Sequence, residues 1–287
     1  MLSSCGRSGN QYEPAYADRA SQPEGYSFAV HPLHNPALLQ KTYGPLIDYL
    51  NANTGAKFKL VSSRDYSSFG DRLSSGEFDF ALPNPYDTVL ASAHGYRIFG
   101  KVGGDENFRG IIITRRDSGV RTLQDLRGKA ISYPAPTAVA GTMMPQYYLQ
   151  QHGVPVDPTT VVYVGSMESS IESVLTRSTV AGALWPDPWQ KYIRSHPEEA
   201  RQLRVRWITP PLVNNGLVVR NDVPPEVAER VLVALRRLSK SPEGRHLLLQ
   251  LAITEFEPAN NATYDPVRRF VRRFSATVRH VPMARQS

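Results

Sequence analysis

The stretch Ile131-Ser132-Tyr133-Pro134-Ala135-Pro136-Thr137-Ala138-Val139-Ala140-Gly141-Thr142 is the part of this sequence best equipped for chemistry. A strand ends, prolines turn the chain, and a helix starts near Val139. The first amides of a helix lack intrahelical partners and carry the positive end of its dipole, so they attract an anion. Ala138, Val139 and Ala140 are small enough to let a ligand reach the backbone, and Thr137 offers a hydroxyl beside them. The same turn is also an ordinary way to join strand to helix, so its chemistry depends on what faces it.

Trp185 follows an apolar run, within Trp185-Pro186-Asp187-Pro188-Trp189. Its ring can stack on a ligand, whereas Asp187 is expected to cap the next helix with Pro188 at its first position, and Trp189 to be core. Asn84 before Pro85 reads as a helix cap that also stands at a strand end. Arg109 can pair bidentately with a carboxylate, sulfonate or phosphate; an exposed strand arginine is the equal reading. His31 and His34 end the first strand without identifiable metal partners and are expected to be plain loop residues. No metal or cofactor is expected. The sequence contains no Walker loop, GxSxG, GxGxxG or HExxH, so an enzyme is not expected.

These positions need elements to hold them. From Tyr26 the chain alternates strand and helix, with helices over Pro36–Asn53, Asp65–Ser75 and Pro85–His94, each followed by a glycine. This argues an open, mainly parallel α/β sheet. The alternation restarts at Gly110–Thr114 and continues through a helix from about Val139 to Gln151 and helices Glu168–Arg177 and Asp187–Ser195. Helices Pro225–Leu238, Glu243–Leu251 and Tyr264–Val278 finish it. The layout predicts one α/β lobe inserted into another: lobe one over 26–105 and 212–287, lobe two over 106–211. Gly103–Asn107 and Thr209–Asn215 are the expected hinge crossovers. Ligands of open α/β sheets sit at the carboxyl ends of strands, so two such lobes face each other across a cleft.

With 287 residues, 41% of them hydrophobic, the chain can bury two cores. No apolar run approaches the roughly 20 residues of a membrane span. The net charge of +7 is spread out; its densest group, Arg268, Arg269, Arg272 and Arg273, alternates with Val267, Phe270, Val271 and Phe274 as the solvated face of a terminal helix does. Nucleic acid is therefore not an expected partner. One cysteine excludes an internal disulfide. Leu2-Ser3-Ser4-Cys5-Gly6 resembles a lipoprotein cleavage box with Cys5 as the acylated residue, and the polar stretch up to residue 25 reads as a flexible tether.

Further landmarks recur in order: Asp65-Tyr66, Gly76-Glu77-Phe78-Asp79-Phe80-Ala81, Arg116-Asp117-Ser118-Gly119, Leu123-Gln124-Asp125-Leu126-Arg127-Gly128-Lys129, Ser241-Pro242-Glu243-Gly244 and Tyr264-Asp265-Pro266-Val267-Arg268. Through them the chain, from Tyr26 to Val278, resembles the phosphate/phosphite/phosphonate-binding family of ABC-transporter periplasmic substrate-binding proteins. The resemblance implies an α/β, two-lobed periplasmic-binding-protein-like (type II) fold with two hinge crossovers. It also implies capture of a small, anionic ligand for an ABC permease, in the periplasm or cell envelope, by a monomer that touches the membrane only through a lipid anchor at Cys5. Tyr66 keeps a binding position of the family. Other positions depart from it: Ala138-Val139-Ala140 stand where phosphonate binders carry Ser-Thr-Ser, Met167 (beside Glu168) replaces a histidine, Ala181 an acidic residue and Phe108 a tyrosine. A hinge aspartate becomes Asn214 or Asn215. Losing three hydroxyl donors, each worth about 1.5–3 kcal/mol against a charged ligand, disfavours phosphonate itself. Two further readings remain open, a ligand sensor coupled to a membrane histidine kinase and an enzyme on the same scaffold.

Overall fold

A computed structural model describes residues 25–32 and 36–282 of the chain. The first stretch runs Tyr26–Val30 (β1), Pro36–Asn53 (α1), Phe58–Val61 (β2), Tyr66–Ser74 (α2), Phe80–Leu82 (β3), Pro85–Ala91 (α3) and Tyr96–Val102 (β4). The middle comprises Ile111–Arg115 (β5), Ile131–Tyr133 (β6), Met144–Gln151 (α4), Val161–Tyr163 (β7), Met167–Leu175 (α5), Ala181–Leu184 (β8), Pro186–Ser195 (α6), Pro197–Ala200 (α7) and Leu203–Ile208 (β9). The chain then adds Gly216–Arg220 (β10), Pro225–Arg237 (α8), Pro242–Leu251 (α9), Phe256–Pro258 (β11) and Asp265–Thr277 (α10).

The strands form two separate sheets, β11-β4-β10-β3-β1-β2 and β7-β6-β8-β5-β9. Each has a parallel trio, β3-β1-β2 and β7-β6-β8. The remaining pairings are antiparallel, so the sheets are mixed and not mainly parallel. The reason lies in the crossovers. The chain leaves the six-stranded sheet at the end of β4 and returns at the start of β10, which sets Gly216 beside Lys101 and Arg220 beside Tyr96. The same logic sets Ile111 at the start of β5 beside Ile208 at the end of β9.

Between the sheets the two crossing segments run side by side. Val102 N–H donates to Asn215 O (2.8 Å), Leu212 N–H to Phe108 O (3.1 Å) and Thr209 N–H to Gly110 O (2.9 Å). Asp105 accepts from Asn214 N–H and from Lys101 Nζ, both at 2.9 Å. Gly104 takes φ 74°, a left-handed turn that a side chain would strain.

Local sequence explains the elements around the cleft. Asp65 caps α2 by accepting from Ser68 N–H (2.8 Å), and Asn84 caps α3 with Pro85 at the first position. The segment expected as one helix from Val139 opens as a π turn, Val139–Met143, before α4. α6 starts at Pro186, not Pro188, so Trp185 takes the cap position and Asp187 sits inside the first turn. Both prolines satisfy the first-turn preference, and the earlier one wins because β8 ends at Leu184. In α10, Val267, Val271 and Phe274 are buried while Arg269, Arg272 and Arg273 face solvent, as the alternation requires.

Candidate functional site

Six loops converge on one small cavity of about 20 Å³, each leaving the carboxyl end of a parallel strand. From the six-stranded sheet come His31 after β1, Tyr66 after β2 and Asn84 after β3. From the five-stranded sheet come Ala138–Ala140 after β6, Met167 after β7 and Trp185 after β8. Phe108 and Asn215, from the two crossing segments, complete its lining. This is where open α/β sheets bind ligands, here doubled and face to face.

Nine of the residues singled out from sequence therefore meet: Tyr66, Asn84, Phe108, Ala138, Val139, Ala140, Met167, Trp185 and Asn215. Three do not line the cavity. Thr137 contributes its carbonyl at the edge, accepting from Asn84 Nδ2 at 3.4 Å, a bond that joins the two halves. Arg109 turns away, with Nε donating to Glu106 O, and lines a larger neighbouring cavity. Its place beside the crossover, where the chain reverses into β5, sets that direction. Glu168 is exposed on the first turn of α5. Cys5 and His34 lie outside the described residues. The correction is His31: it is buried, its Nδ1 donates to Leu82 O (2.9 Å), and its ring lies 6.2 Å from that of Tyr66. Its place at a strand end was legible, because His31 follows β1 as Asn84 follows β3; its burial was not.

The polar side chains lining the cavity are His31, Tyr66, Asn84 and Asn215, with the indole N–H of Trp185. Burial, then the carboxylates of Asp87 and Glu168, push the Tyr66 phenol far up, so it stays protonated. Behind Asn84 stands Asp87, fully buried. Asn84 Nδ2 donates to its Oδ2 (2.7 Å) and Asp87 N–H donates to Asn84 Oδ1 (3.1 Å). Burial lifts the Asp87 carboxyl to about 7 in spite of that hydrogen bond. The Val139 turn carries no side-chain cap, so its leading amides depend on another partner. Trp185 Nε1 and Asn215 Oδ1 are buried without a hydrogen-bond partner among the described residues. Those residues contain no cluster of three or more groups able to hold a metal ion. Donors of this kind suit recognition of a small polar or anionic group.

Residues 28–264 match the family described as ABC transporter, phosphonate, periplasmic substrate-binding protein. The chain belongs to that family. Among relatives, a phosphate-import protein PhnD from Mycolicibacterium smegmatis is 23% identical over 73% of this chain and 70% of its own. Among solved structures, a binding protein component of an ABC phosphonate transporter from Pseudomonas aeruginosa matches with a TM-score of 0.79 at 19% identity, covering 88% of this chain and 87% of that one. PhnD1 from Prochlorococcus marinus, solved with methylphosphonate, also gives 0.79, at 18% identity over 88% and 99%. At these identities the structural likeness speaks for the two-lobed fold. Members of the family are periplasmic components of ABC transporters that bind small molecules.

Proposed function

We propose that this protein is the solute receptor of an ABC importer, holding a small anionic ligand between lobe one (26–105 and 212–287) and lobe two (106–211). The observation that carries the reading is the convergence of three strand ends from each sheet on a single cavity. Gly103–Asn107 and Thr209–Asn215 act as the hinges. A ligand that touches Tyr66 and Asn84 on one side and the Val139 turn on the other adds affinity only for the closed state, which drives closure. In the present arrangement the cavity holds about one water-sized group. A tetrahedral head therefore enters with the lobes parted at the long Asn84–Thr137 contact and draws them back around itself. The protein delivers its ligand to a membrane permease as a monomer, and Cys5 tethers it to the envelope.

A thermal-shift screen with phosphate, phosphite, methylphosphonate, small sulfonates and carboxylates tests this. A ligand at a hundred times its dissociation constant stabilises by about 2.7 kcal/mol. We expect at least one anion of the set to give that response, and Tyr66→Ala and Asn84→Ala each to erase it. A full set of silent anions, or a response indifferent to both substitutions, contradicts the proposal.

A further inference from the structure

A second cavity, about 380 Å³, adjoins the small one, and Phe108, Trp185 and Asn215 belong to both linings. That volume falls in the range of roughly 300–1,000 Å³ that holds organic molecules of drug size. It is far more than phosphate or methylphosphonate needs. Its walls include Leu82, Ile111 and Val205 together with the rings of Tyr43 and Trp189. Arg109 and Asp187 also line it, and burial pushes the Asp187 carboxyl up; the greater part of the remaining wall is apolar and aromatic. At the shared wall the rings of Phe108 and Trp185 lie 6.1 Å apart. That wall also holds the two unpartnered buried atoms, the donor Trp185 Nε1 and the acceptor Asn215 Oδ1. An unmade buried hydrogen bond costs about 1–3 kcal/mol, so these atoms call for a polar group at the junction.

We infer that the natural ligand spans both compartments, with a small anionic head at the Val139 turn and a planar aromatic or heteroaromatic body in the larger cavity against Trp185. This rests on the proposal above that the small cavity receives the head. It also accounts for the missing hydroxyls at Ala138-Val139-Ala140: binding energy moves from the head to the body, where stacked rings and buried apolar area supply it.

Calorimetry with phenylphosphonate and methylphosphonate tests it, on the wild type and on Gln190→Trp and Thr254→Trp. Both substituted positions are exposed and line only the larger cavity, so a large ring there fills the body compartment without touching the head site. We expect the wild type to bind phenylphosphonate roughly tenfold or more tighter than methylphosphonate. Each substitution should abolish that preference and leave methylphosphonate affinity unchanged. Equal affinities in the wild type, or a preference that survives both substitutions, overturn the two-compartment ligand while leaving the receptor role intact. Failure of both compounds, with every anion of the thermal-shift set silent as well, overturns the head site and this inference together; where a sulfonate or carboxylate is the anion that binds, its phenyl and methyl forms take the place of the two phosphonates, with the same outcomes.

Discussion

Gly110→Ala should weaken the proposed capture of small anions about a hundredfold while leaving the protein folded. A Cβ at Gly110 would stand 2.6 Å from Ala140 O and 2.7 Å from Pro145 Cδ. Gly110 cannot retreat, because its N–H donates to Thr209 Oγ1 (2.9 Å) and its carbonyl accepts from Thr209 N–H (2.9 Å). The Val139 turn must therefore move, and with it the amides that face the ligand. Overpacking of this kind costs about 1–3 kcal/mol of stability. Displacing the amides should cost on the order of a hundredfold in affinity, equivalent to about 2.7 kcal/mol. Gly244→Ala is the control: its Cβ would meet the Leu238 backbone and Gly244 lines neither cavity, so it should destabilise without weakening binding of a small anion at the Val139 turn. Calorimetric titration with the best anion of the thermal-shift screen, alongside denaturant unfolding, separates the two effects. Unchanged affinity in Gly110→Ala would show that the turn does not hold the ligand.

The second large effect is on stability against pH. Asp87 ionises near 3.8 when exposed and near 7 in the folded protein, because burial penalises its charge. Between these values the folded state keeps a proton that the unfolded chain has released. The stabilisation is complete below about pH 4, declines as pH rises, and is gone above about 7. Each pKa unit corresponds to about 1.4 kcal/mol, so the loss across the window is on the order of 4 kcal/mol. Asp87→Asn keeps an acceptor for Asn84 Nδ2 and removes the ionisation. The variant should be more stable than the wild type at pH 7.5, by roughly 2–4 kcal/mol, and the difference should shrink towards pH 4.5. Denaturant midpoints at the two pH values check this; parallel profiles for both proteins would mean that Asp87 does not titrate in this window.

Much of this architecture is readable in the chain because local signals agree. Glycines follow α1 and α2 closely, Asn84 caps α3 as its side chain allows, and the arginines of α10 keep to one face, although α3 stops at Ala91, short of the expected His94 and Gly95. The rule that ligands sit at strand carboxyl ends, together with the family resemblance, pointed to residues on five of the six loops that line the small cavity; the sixth, carrying His31, was passed over. What escaped reading depends on long-range pairing. The place of β10 between β3 and β4 is fixed by the crossover geometry and not by any pattern within residues 216–220. The burial of His31 comes from β3 beside it, whose Leu82 carbonyl takes the ring N–H. The direction of Arg109 is set by the reversal into β5, and the start of α6 by where β8 stops. Asp87 gave no signal either, since an acid in a first helical turn is usually a solvated dipole partner, and only tertiary packing buries it.

The account rests on ligand being gripped between hinged halves, and a distance between them measures that directly. Spin labels at Ser74→Cys on α2 and Ser178→Cys beyond α5, in a Cys5→Ser background, report one lobe against the other; both positions are exposed. Titration with the best anion from the screen should shorten and narrow the distance distribution, saturating at the concentration where calorimetry saturates. A distribution that stays fixed while calorimetry shows full binding would contradict closure over the ligand.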